Sequence, residues 1–98
     1  MTDKPILRDK PILHLTLARL VGPSAVVVAP QWLTGHLWRQ ALADDRLEHV
    51  RVRVAPGRIG VALFLLAAEE TAARRSARSI CARALDTSDE LRDWRLAE

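Results

Sequence analysis

The sequence predicts an α+β fold of two layers: a four-stranded antiparallel sheet with two helices on one face. Three observations carry this reading. Residues 49–66, HVRVRVAPGRIGVALFLL, place two extended runs around one Pro-Gly turn. Residues 12–21, ILHLTLARLV, alternate in the strand period. Residues 30–43 and 67–85 instead repeat apolar side chains at helical spacing.

The chain opens with DKPIL at 3–7 and again at 9–13. Each proline blocks a helix and biases its predecessor toward extended backbone. Residues 1–11 are therefore expected to form a flexible arm, and 12–98 a single α+β domain. In the first strand Leu13, Leu15 and Leu17 point one way and His14, Thr16 and Ala18 the other. Gly22-Pro23-Ser24 breaks it. Residues 25–29 are ambiguous between a short strand and an extended entry to the helix.

The first helix, PQWLTGHLWRQALA over 30–43, starts on a proline suited to a first turn. Leu33, Leu37, Trp38, Ala41 and Leu42 form its apolar stripe. Asp44-Asp45-Arg46 connects it to the hairpin. Ala55-Pro56-Gly57-Arg58 favours a type II turn, with glycine supplying positive φ at the third place. Pairing Ala55 with Arg58 puts Val54 by Ile59, Val52 by Val61 and Val50 by Leu63 on one face. Arg53 by Gly60, Arg51 by Ala62 and His49 by Phe64 lie on the other.

The second helix, 67–85, has Glu69 and Glu70 near its start and Arg74, Arg75, Arg78 and Arg83 later, the order its dipole favours. Its stripe of Ala73, Ala77, Ile80, Cys81 and Ala84 is small enough to lie close on a sheet. In the tail, Thr87 and Glu90 resemble a capping box, while LRDWRL alternates like an edge strand. The strand completes β-α-β-β-α-β, the ferredoxin-like split βαβ. The competing topology is ββαββα with a short C-terminal helix. Both leave one sheet face bare.

That bare face is the candidate site. On this reading it carries His14, Thr16, Ala18, His49, Arg51, Arg53, Gly60, Ala62, Phe64 and Leu66. Its cover is expected to be a second copy, since two-fold pairing is the commonest solution for soluble chains. A face left exposed, a protein partner and a small molecule are the alternatives.

Composition narrows the classes. Lys4 and Lys10 are the only lysines, so arginine supplies thirteen of the fifteen cations, a usage that suggests a high-GC bacterial genome. A net charge of +3 is weak for a nucleic-acid binder, and base-stacking sheets need more aromatics than Phe64 alone. Arg51, Arg53 and Arg58 are the phosphate contacts a weak binder would use. A single cysteine, Cys81, suits a reducing cytoplasm. No apolar run is long enough for a membrane span.

Catalytic signals are sparse. The chain has no CxxC, HExxH or glycine-rich phosphate loop. His14 and His49 are expected roughly 10 Å apart, two strand spacings, too far to share a metal. His36 is expected to be an ordinary surface or interface histidine, Cys81 a buried thiol, and Asp44, Asp45, Glu69 and Glu70 solvated end charges. The expectation is a non-enzymatic binding or accessory module that self-associates, with no cofactor and no metal. A small dimeric enzyme or enzyme companion is the alternative, and weak nucleic-acid binding a third.

Overall fold

Two strands with thirty-six residues between them form the centre of the sheet. In the computed structural model, which describes residues 10–97, β1 (Ile12–Val21) and β3 (Arg58–Ala67) pair antiparallel along their full lengths. Strand β2 (Leu47–Ala55) flanks β3, and β4 (Arg95–Leu96) flanks the end of β1, giving the order β2-β3-β1-β4. Helices α1 (Pro30–Gln40) and α2 (Glu70–Asp86) complete the two-layer βαββαβ arrangement. Residues 1–9 of the arm expected over 1–11 lie outside the described residues.

The hairpin closes as the turn chemistry requires. Gly57 takes φ 74°, the left-handed value of a type II third position, directly after Pro56. The register then runs Ala55–Arg58, Val54–Ile59, Val52–Val61, Val50–Leu63 and His49–Phe64, as the alternation predicts. A bulge between Leu47 and His49 ends the regular pairing.

The core lies between sheet and helices. Ile59, Val61, Leu63 and Leu65 of β3 are fully buried under Leu33, Leu37, Ala77, Ile80, Cys81 and Ala84. All five residues of the expected α2 stripe are buried, and alanine at three of them lets that helix approach closely.

Several local readings are resolved or corrected. Residues 25–29, open between a short strand and an extended helix entry, form no strand; Val28 alone is buried, while Val27 is exposed. Helix α1 stops at Gln40, leaving Leu42 beyond its end; Trp38 and Leu42 are exposed while His36 is buried. The tail combines both readings: a 3₁₀ turn over Asp89–Leu91 precedes the two-residue β4. Ser88, not Thr87, caps that turn by accepting from the Glu90 N–H. Thr87 donates to the Arg83 carbonyl instead.

Trp94 anchors this tail. It is buried, and a Cβ placed at Gly22 would come within 2.3 Å of its ring, so only glycine lets the indole lie on the backbone there.

Candidate functional site

The face turned away from the helices is set by the β1–β3 register. Leu13, Leu15 and Leu17 pair with Leu66, Phe64 and Ala62, whose β3 neighbours Val61, Leu63 and Leu65 are in the core. Side chains alternate across a strand, so the leucines, Phe64, Ala62 and Leu66 all project to the open side. His14, Thr16 and Ala18 pair with Leu65, Leu63 and Val61 and therefore face the helices. This corrects the sequence reading of β1, which placed these three on the open face and the leucines opposite.

The physical reason lies in the covering helix. The α2 stripe is alanine-rich and close, and Ala18 and Thr16 fit beneath it better than leucines would. His14 is half-buried and reaches the edge of this layer, where Nε2–H donates to the Ala67 carbonyl at 3.2 Å. His14 and His49 consequently lie on opposite faces rather than sharing one.

The open face is more apolar than the sequence reading allowed. Leu13, Leu15 and Leu17 are 53%, 56% and 75% exposed. Phe64 and Leu66 beside them are half-buried, and Phe64 meets the His49 ring at 5.5 Å between centroids. Towards the Pro56-Gly57 turn the character changes. Arg51 and Arg53 of β2, Arg58 of β3, Arg19 of β1 and Arg95 of β4 occupy the register positions of the same face. No aspartate or glutamate shares those positions, and none of the five arginines has an ion-pair partner among the described residues. Gly60 and Ala62, the smallest residues of this face, lie between them.

Polar groups off this face are engaged in holding the fold. Asp45, expected in solvent, is buried at the α1–β2 connection. It accepts from the Leu42 N–H and from Arg83 Nη2, both at 2.8 Å. Arg83 also donates from Nε to the Gln40 carbonyl, so it ties α2 to this connection rather than turning outward. His36 stacks on Trp32 at 4.9 Å, and its Nε2–H donates to the Ala84 carbonyl at 2.9 Å. Neither role was legible in sequence; the only signals were a histidine within an apolar stripe and an Asp-Asp pair ahead of a strand.

Cys81 is buried as expected, and burial pushes its thiol up to about 11. At neutral pH it is protonated and out of reach of solvent, the opposite of an activated nucleophile. Among the described residues no three His, Cys, Asp or Glu side chains gather where they could hold a metal. No helix among them is long and apolar enough to cross a membrane.

No family model, curated protein or solved structure matches this chain.

Proposed function

We propose that this chain is a small non-catalytic binding module that self-associates through its open sheet face. The observation that supports it is the leucine column of β1, lying beside Phe64 and Leu66 with no element among the described residues over it. Contiguous exposed apolar patches on small domains mark interaction sites. Burying one exposed leucine contributes about 1.5–3 kcal/mol, and these three begin more than half exposed. Covering the column is therefore worth several times thermal energy before association costs are met.

Sedimentation velocity of the full chain across roughly 1–100 μM tests this. A dimer that dissociates on dilution is expected, and Leu17→Arg is expected to weaken it at least tenfold while preserving the circular dichroism spectrum. A species that stays monomeric throughout overturns the reading.

A second reading rests on the arginines. Five guanidiniums without a carboxylate on one face suit a polyanion, with Arg51, Arg53 and Arg58 as phosphate contacts. Fluorescence anisotropy with a labelled single-stranded RNA distinguishes it. Affinity falling steeply with salt supports this reading, and absence of binding at low salt removes it.

A further inference from the structure

The strongest feature outside the face itself is the edge of β1. Strand β4 pairs only with Leu20 and Val21, and the Ala97 N–H reaches the Arg19 carbonyl at 2.8 Å. Among the described residues, 12–18 thus have a strand neighbour on the β3 side and none on the other. Backbone groups alternate sides in a strand. Because the Arg19 carbonyl points toward β4, so do the N–H and C=O groups of Leu17, Leu15 and Leu13. Three donors and three acceptors line this free edge, between exposed leucines.

Natural proteins guard such edges with charge, proline or a bulge. The opposite edge, β2, has all but the proline: Arg51, Arg53 and the bulge beside Glu48. Between Ile12 and Ala18 the β1 edge has no charged residue, no proline and no bulge.

Resting on the self-association reading, we infer that two copies join β1 to β1 across a two-fold axis normal to the sheet, making one continuous eight-stranded sheet. The free segment is centred on Leu15, so the antiparallel register pairs Leu15 with Leu15 of the second copy and Leu13 with its Leu17. Every free N–H and C=O of Leu13, Leu15 and Leu17 then finds a partner, three donors from each copy. The same register keeps all six leucines on the open face, as close cross-strand pairs. On the helix face His14 meets Thr16.

The ends of the slot fit as well. In this register Pro11 of the second copy comes up against Ala97, which already sits opposite Arg19 and holds its carbonyl, so regular pairing has to stop at Ile12. Proline has no N–H to lose there and turns the chain away. Charge selects the same partner. Self-pairing of β1 brings no charged residues into opposition, whereas self-pairing of β2 about Val52 sets Arg51 against Arg53. The joined sheet also has a definite pattern: apolar columns from β3 and β1 of both copies in the middle, and the β2 arginines at both outer margins. That is the apolar centre and polar rim of a protein interaction surface.

Amide hydrogen exchange resolved by NMR, on the full chain at a concentration where it sediments as a dimer, tests the joint. The expected result is protection of the Leu13, Leu15 and Leu17 amides that is lost on dilution to monomer. Leu15→Pro sharpens it. The Leu15 N–H points away from β3, so this variant keeps the β1–β3 bonds and is expected to stay folded, with dimerisation weakened at least tenfold. Thr16→Pro, whose N–H faces β3, is expected to unfold. A dimer in which the three leucine amides exchange freely overturns the edge joint and leaves self-association standing. A monomer overturns both, and a monomer with these amides protected shows that another segment of the same chain holds the edge. If Leu15→Pro fails to fold, exchange in the native dimer alone decides.

Discussion

The two faces of the β1–β3 ribbon differ in a way their sequences do not announce. On β3 the helix-covered side carries Ile59, Val61, Leu63 and Leu65, all buried, while the open side carries Gly60, Ala62, Phe64 and Leu66. On β1 the order reverses: the larger apolar residues lie outside and His14, Thr16 and Ala18 inside. Alternation fixes which residues share a face, but only packing against the helices decides which face is inward. The alanine-rich α2 takes small residues beneath it, and β1 turns Leu13, Leu15 and Leu17 to the other side.

The sharpest way to break this comparison is a matched pair of truncations. Leu63→Ala, on the covered face, is expected to cost about 2–5 kcal/mol through lost burial and a residual cavity. Leu15→Ala, on the open face, is expected to change monomer stability by less than about 0.5 kcal/mol. Urea denaturation at a concentration below dimer formation reads both, and similar costs would mean that both faces are covered.

The next largest effect is at the end of β1. Gly22→Ala drives a Cβ into the Trp94 ring, where flat aromatic atoms on one side and backbone on the other leave little room to yield. Overpacking of this kind costs about 1–3 kcal/mol. The indole must lift, and β4 with it, so the variant is expected to show red-shifted tryptophan emission and faster exchange of the Ala97 amide. Unchanged emission with unchanged stability would show that the tail adapts freely.

Much of the covered face was legible. The hairpin register followed from Pro56-Gly57 and the valine alternation, and the α2 stripe from its spacing, because local rules governed both. The orientation of β1 was not, because leucine alternating with histidine and threonine reads as core against solvent unless the helix above is known. Of the ten residues assigned to the open face, His49, Arg51, Arg53, Gly60, Ala62, Phe64 and Leu66 lie there, and the three from β1 do not. The free edge was invisible too, since a two-residue β4 cannot be told from a longer one by alternation alone.

A smaller effect is expected where α2 is fastened to the covered layer. Asp45→Ala leaves Arg83 and the Leu42 N–H without their shared acceptor. A fully buried partner lost in this way costs about 3–5 kcal/mol. Arg83 is one-third exposed, so water recovers part of it and about 1–2 kcal/mol is expected. Asp45→Asn, which keeps one acceptor oxygen, should recover much of the loss. Equal loss in both variants would show that the charge, not the hydrogen bonds, holds the connection.

The smallest effect at neutral pH belongs to Cys81, which sits directly on the covered face. Its thiol is raised from 9.0 to about 11 because burial disfavours the thiolate. Below pH 9 the thiol is protonated whether the chain is folded or not, and it contributes no pH dependence. Between pH 9 and 11 the unfolded chain releases this proton while the folded chain keeps it, so stability falls as pH rises. The stability difference between the native chain and Cys81→Ala should therefore be flat up to about pH 9 and then decline, by about 2 kcal/mol as pH 11 is approached. A difference that stays flat to pH 11 would place the thiol in contact with water and open the covered face where the packing of Ile80, Ala84 and Leu65 holds it closed.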